Sequence, residues 1–374
     1  MGSCILNEWR GLFTVHRRAA LVLILLPLIY TCLFGGLFFR NVVTHVPAGV
    51  VNLDRGPQGE TMVRTLGYAE ELEMEEFSGE RELEEALSSG AIQGAVIIPP
   101  DFSRSIGNGE TAQIEAVVNL GNTVSGSAVL KGTQGAIETY NMEMTAERRM
   151  AAGWTQEAAA EGTVIMSMRS LYNGPGGYED FFLAVLMIHA LQIAVVFTMA
   201  PMAALEVLRR GREAAARPVQ ETAAKVLVYT ALNTAVLLGC LALAAGAFGL
   251  VFRGSLAETT LLIAVFSAAM VSFSLAAGFW TRHPVKVITY TVFYIMPSVL
   301  FSGAIWPRYS MDWGSLLISF FIPIGYAADD LRDLLVRGAS PSLWTDLSML
   351  AVFAFLAFWL AVKGLKRAEG QQQK

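Results

Sequence analysis

Charged side chains are scarce in this chain. Asp, Glu, Lys and Arg make up 16% of its 374 residues against 54% hydrophobic, and the mean hydropathy is +0.48. Soluble domains carry about 25% charged residues, so the deficit excludes an ordinary globular protein and indicates a membrane protein. Cysteine is nearly absent as well: Cys4, Cys32 and Cys240 are the only three, and none lies in the polar part of the chain. That excludes a disulfide framework, and no Cys/His spacing suits zinc. The residues before Cys32 (Ile29-Tyr30-Thr31) are not the small ones that precede a lipid-modified cysteine, so all three read as free apolar thiols.

A nucleotide-binding motif is missing too. The nearest approach to a P-loop is Gly126-Ser127-Ala128-Val129-Leu130-Lys131-Gly132-Thr133, with Lys and Gly in the wrong order and nothing strand-like before it. If the protein is an active pump, its motor is another polypeptide. The polar region holds no Ser/His/Asp or metal-ligating constellation, so the chain does not read as an enzyme. No cofactor of its own and no nucleic-acid partner are expected.

What the chain has is long uncharged runs. About 20 apolar residues cross the hydrocarbon core of a bilayer. The runs Ala19–Phe39, Phe181–Leu205, Val226–Phe252, Thr259–Trp280, Val287–Trp306 and Leu343–Val362 reach that length, the last interrupted only by Asp346. Ala19–Phe39 follows His16, Arg17 and Arg18, yet it is longer than a signal-peptide core and no small-x-small site closes it, so a retained first span is expected. Before it, Ile5, Leu6, Trp9, Leu12 and Phe13 share one helical face, as in a helix lying at the membrane surface. Trp313–Ala328 is apolar but short and carries Pro323 and Gly325, which predicts a re-entrant or interfacial pair of helices.

The acids are concentrated in one place. Residues 41–179 hold 20 of the 32 acidic residues and 8 of the 27 basic ones. Strand-like runs at Ala48–Leu53, Leu72–Phe77, Gly94–Ile98 and Ile114–Asn119 alternate with helical patterns at Glu60–Glu71 and Glu80–Ser88, the latter with Ser78 as its expected cap. This is the pattern of a small α/β domain. A 3–4 apolar spacing from Ile137 to Tyr172 predicts a long helix after it, ended by Asn173-Gly174-Pro175-Gly176-Gly177.

The predicted fold is a mainly α membrane protein with six transmembrane helices, one plus five. An extracytoplasmic α/β domain and a long helix are inserted after the first span. The expected divisions are an interfacial helix at 1–18, the first span at 19–39, the polar domain at 40–180, a five-helix membrane domain at 181–363 with an outer hairpin near 308–338, and a tail at 364–374. Segments 1–18, 206–225, 281–286 and 363–374 hold 14 basic residues against 5 acids, which places both termini in the cytoplasm by the positive-inside rule.

Several strings resemble those of the type-2 ABC transporter permeases, in the group with a large extracytoplasmic insert between the first two spans. AGVVNLDRGPQGETMVRTL (48–66) resembles the family's strand, acidic turn and helix. AIQGAVIIPPDFSRSIGNGE (91–110) is similar to its strand, proline turn and x-F-S helix. PSVLFSGAIWPRYSM (297–311) resembles the end of the fifth span, and FIPIGYAADDLRDLLVRG (321–338) the hairpin that follows. The resemblance implies an exporter permease, working as a dimer with an identical or homologous copy in a bacterial inner membrane. ATP would be bound by a cytoplasmic ABC ATPase, and an outer adaptor is a further implied partner.

It also implies a coupling loop at Leu205–Lys225. Glu206, Arg209, Arg210, Gly211, Glu213, Pro218 and Lys225 keep the family pattern loosely, while its Gly-Thr-x-Glu-x-Leu core is replaced by Gly211-Arg212-Glu213-Ala214-Ala215-Ala216. Glu206, Arg209, Arg210 and Glu213 are the expected ATPase contacts, unless these residues are only positive-inside charges.

Within the spans, His189 and Gln192 share one face three residues apart and Asn233 lies in the third span. They read either as a polar path or as helix–helix hydrogen bonding. Asp312, Asp329, Asp330 and Asp333 read as solvated caps. The competing function is a non-transporting receptor or scaffold anchored by the spans.

Overall fold

The structure is a computed structural model that describes residues 1–38, 43–108, 110–118, 123–151, 182–210, 217–303, 305–306 and 308–370. Two compact units result, one comprising Met1–Asn41 with Leu171–Lys374 and the other Val42–Ser170.

The second unit is α/β. Its strands β1 (Val46–Asn52), β2 (Leu72–Glu76), β3 (Gly94–Ile98) and β4 (Glu115–Val118) form one sheet in the order β2-β1-β3-β4. β1 runs parallel to β2 and β3, with Val46 opposite Leu72 and Ala48 opposite Gly94, and β4 is antiparallel to β3. Helices α3 (Pro57–Gly67), α4 (Glu80–Ser89) and α5 (Phe102–Asn108) connect the strands, and α6 (Thr123–Ala151) follows the last.

Because side chains alternate along a strand, β1 feeds two cores. Val46, Ala48 and Val50 pack with Val96, Met62, Leu66, Val129 and Tyr140 from the α3 and α6 side. Val51 packs with Ala95, Leu83 and Ile92 on the α4 side. A parallel strand covered on both faces is apolar throughout, which explains the near-continuous run Val46–Val51. Gly49 permits the close approach of α4: a Cβ there would lie 2.5 Å from a methyl of Leu83.

Two of the recognisable strings meet in a polar clasp. The Asp54 carboxylate accepts the Gly59 N–H at 3.2 Å and the Ser103 hydroxyl, while Ser103 Oγ accepts the Gln58 N–H at 3.1 Å. The Tyr140 hydroxyl of α6 donates to Gln58 Oε1 at 2.8 Å. The turn after β1 is thereby fixed to the helix after β3.

Two expectations change here. The α4 cap position is Gly79 rather than Ser78, and the Glu82 carboxylate reaches back to accept the Ser78 N–H. The predicted long helix is helical over Thr123–Ala151, and its continuation to Tyr172 lies outside the described residues.

The first unit is helical: α1 (Gly2–Thr14), α2 (Arg17–Phe38), α7 (Ala184–Arg210), α8 (Pro218–Leu243), α9 (Leu256–Thr281), α10 (Pro284–Ser298), α11 (Trp313–Phe320), α12 (Ile324–Arg337) and α13 (Leu343–Gly370). Among the described residues, five helices (α2, α7, α8 with its π-helical end, α9 and α13) are long and apolar enough to cross a membrane. α7 and α9 are largely enclosed by the others, whereas α2 and α13 present rows of outward apolar side chains. Gly278 lets α9 touch α7 backbone to backbone, since a Cβ there would lie 2.3 Å from the Ala200 carbonyl oxygen. The indole of Trp280 donates to the Leu360 carbonyl at 2.8 Å and joins α9 to α13.

The predicted span Val287–Trp306 takes a shorter form. α10 has 15 residues, and a 3₁₀ turn, Leu300–Ser302, and Gly303 at φ 96° follow it. Fifteen helical residues extend about 22 Å, less than the hydrocarbon thickness. Pro297 near the end and the left-handed Gly303 are the local causes. The predicted outer hairpin is a pair of helices, α11 and α12, bent by 83° at their junction.

α1 divides its apolar face: Leu12 is fully buried and Ile5 packs beside it, while Leu6, Trp9 and Phe13 remain outward. The three cysteines are free, with Cys240 buried, Cys4 partly so and Cys32 exposed.

Candidate functional site

The described residues of segment 206–225 are helical except for Arg217. Glu206 and Arg209 lie on the last turn of α7, and Pro218–Lys225 forms the first two turns of α8, with Pro218 at a position where its missing N–H costs nothing. Arg210 ends α7, but its side chain, like Glu213 and the whole of residues 211–216, lies outside the described residues.

Lys225 is the centre of what these ends build. Its ammonium pairs with the Glu206 carboxylate of α7 at 3.2 Å and with the Glu8 carboxylate of α1, which it also hydrogen-bonds. The lysine side chain is 10% exposed, and those of Glu8 and Glu206 are 20% and 22% exposed. One cation therefore holds three helices at a partly dry junction. Such an arrangement adds little net stability, because desolvation offsets the attraction, but removing one member strands the others.

Tyr229, one turn further along α8, is fully buried beside the triad. His16 stands at the turn between α1 and α2. Burial of its ring, then the nearby Lys225 cation, lowers its pKa below the ordinary value of 6.5, and Glu8 and Glu206 oppose this only in part.

A cavity of about 580 Å³ opens beside the triad. Its floor includes Met199, Ala203 and Leu275, and its rim includes His16, Arg18 and Arg209.

Of the residues singled out from sequence, Glu206 joins the triad and Arg209 lines the cavity. Glu8, His16 and Tyr229 were not anticipated. A signal for the triad was present: Lys225 immediately precedes a long uncharged run, and a charge entering a membrane helix needs partners. Glu8 is the one acid in residues 1–18.

The intramembrane polar residues do not form one chain. Gln192, fully buried on α7, donates to the Ser298 hydroxyl of α10 at 3.2 Å and lies within reach of the His189 side chain on the same helix. His189 is nearly buried, and its Nδ1 has no partner among the described residues. Among the described residues, both amide atoms of the fully buried Asn233 on α8 are unpaired, and no hydrogen bond joins it to His189 or Gln192.

The carboxylates of the hairpin are not all solvated caps. Asp312 does cap α11, accepting the Gly314 N–H at 3.0 Å. Asp330 is instead fully buried and accepts from Ser340 at 2.6 Å and Ser342 at 2.9 Å, tying α12 to the start of α13. Asp329 pairs with Arg332 at 3.3 Å and Asp333 with Arg337 at 2.8 Å.

A bundle of long apolar helices, with its buried charges confined to helix ends and one hairpin, defines a multi-pass membrane protein. Residues 18–363 match the family model described as ABC-2 family transporter protein, and the chain belongs to that family. It is 20% identical over 337 residues to "ABC transporter G family member 20" of Dictyostelium discoideum, an alignment covering 84% of this chain and 43% of that protein. The chain thus spans less than half the length of that curated relative.

Proposed function

We propose that the chain is the permease subunit of an ATP-driven exporter, forming the translocation path as a dimer and driven by an ABC ATPase carried on a separate cytoplasmic polypeptide. The reading adds that the α/β unit is extracytoplasmic and that the basic end of the helices faces the cytoplasm of a bacterial cell. One observation carries it: Lys225 clamps α1, α7 and α8 together at the ends that flank residues 211–216. A push on those residues by an ATPase then moves three helices as one body. The backbone contact at Gly278 passes displacement of α7 to α9, and Trp280 passes it on to α13. Packed elements of this kind switch between discrete arrangements rather than deforming smoothly.

The test is capture and uncoupling. A photo-crosslinker at Ala215 should trap a P-loop ATPase in the native membrane. The double variant Glu206→Ala, Arg210→Ala should retain that partner's intrinsic hydrolysis but lose most transport into vesicles. Capture of no ATPase, or unchanged transport by the double variant, would reject this function and favour a membrane-anchored scaffold.

A further inference from the structure

We propose that the cavity beside the Lys225 triad is a binding site for the headgroup of an anionic phospholipid. The lining sets the class. Arg18 and Arg209 bring two positive charges to the rim, beside the triad in which Lys225 is set against Glu8 and Glu206. Among the described residues no carboxylate pairs with Arg18 or Arg209, and both are exposed at the rim. A guanidinium binds phosphate oxygens through two parallel N–H donors.

The remainder of the cavity suits the rest of a lipid. Its volume of about 580 Å³ lies within the range of ligand sites, and the floor of Met199, Met202, Ala203 and Leu275 is apolar. Leu21, Val22, Leu205 and Leu208, near the rim residues in sequence, point outward as a surface for acyl chains. A free anion would use the arginines and leave this apolar surface unused, so a lipid is the occupant that matches both halves. Bound there, it touches α1, α2, α7, α8 and α9 together and favours the docked position of α1. The inference rests on the membrane setting of the helices, and its test needs neither nucleotide nor ATPase, so failure of the export reading leaves it intact.

The full chain, purified and delipidated in detergent, is titrated with phosphatidylglycerol, with phosphatidylcholine and with inorganic phosphate. Thermal stability and native mass spectrometry are the readouts. Phosphatidylglycerol should bind with a stoichiometry of one per chain and raise Tm, and neither other probe should. Arg18→Gln with Arg209→Gln should weaken that binding at least tenfold, Arg18→Lys with Arg209→Lys should retain most of it, and Lys366→Gln, at another exposed basic position, should leave it unchanged. Equal stabilisation by phosphatidylcholine would reduce the site to an apolar crevice, and an equal effect of inorganic phosphate would make it a free-anion site. Undiminished binding by the glutamine pair, or loss in Lys366→Gln alone, would place the lipid elsewhere. Each of these results overturns the proposal.

Discussion

Replacing Lys225 by Met keeps the length and apolar stem of the side chain and deletes its charge. Glu8 and Glu206 are then left facing one another at a junction where each is about one-fifth exposed. Removing one member of a buried ion pair costs about 3–5 kcal/mol; partial exposure of the carboxylates brings the figure to the lower end, about 3 kcal/mol. What otherwise holds α1 is chiefly the burial of Leu12, with help from Ile5. One buried leucine contributes about 1.5–3 kcal/mol. The lost term is therefore as large as the docking energy, and α1 should detach while the spans stay folded. At 1.4 kcal/mol per decade, about 3 kcal/mol is on the order of a hundredfold in the docking equilibrium. Hydrogen–deuterium exchange should show protection of residues 2–14 falling by about that factor, with α7, α8 and α9 unchanged beyond the turns next to the triad. The triple variant Glu8→Gln, Glu206→Gln, Lys225→Met, which leaves no stranded charge, should recover most of the protection. Unchanged exchange at residues 2–14 in Lys225→Met would refute the claim that the triad holds α1.

Gly278→Val should lower Tm by the equivalent of about 1–3 kcal/mol, because the added Cβ overlaps the α7 backbone and cannot be relieved by a rotamer change. Ser103→Ala should cost about 1.5–3 kcal/mol, since Asp54 loses its hydroxyl donor, and should appear as faster exchange across residues 48–66. For His16 the folded-state pKa lies below the unfolded value, so the unfolded chain binds more protons in mild acid. Its contribution is complete above about pH 6.5 and is lost as the pH falls through the folded pKa. Tm should therefore fall more between pH 7.5 and 5.5 in the parent than in His16→Gln, and identical pH slopes would refute this.

Much of the architecture was legible because it follows from one-dimensional patterns. Uncharged runs of bilayer length gave α2, α7, α8, α9 and α13, and alternation with turn residues gave all four strands in order. Where the structure departs from these readings, the causes are physical. Val287–Trp306 looks like a span by composition, but Pro297 and the left-handed Gly303 end the helix early, a backbone effect that hydropathy does not register. Counting charges made 206–225 a loop, although its ends continue the flanking helices and the charges pair across them. Glu8 could not be assigned to Lys225 from sequence, since the pairing spans 217 residues. Asp330 looked like one more hairpin acid, and only the fold brings Ser340 and Ser342 back to bury it. The resemblance named Glu206, which joins the triad, and Arg209, which lines the cavity. Asn233, which reads from sequence either as part of a polar path or as a helix–helix hydrogen-bonding group, has no hydrogen bond to His189 or Gln192.

On the proposed function, an ATPase on another polypeptide drives this chain through the helix ends joined by Lys225. This is tested most directly by measuring ATP hydrolysis of the co-purified ATPase in vesicles, with the parent chain and with Lys225→Met. The complex should form with both, and transport per ATP should fall about tenfold or more in the variant. Transport per ATP equal to that of the parent chain, or the absence of any co-purifying ATPase, would contradict it.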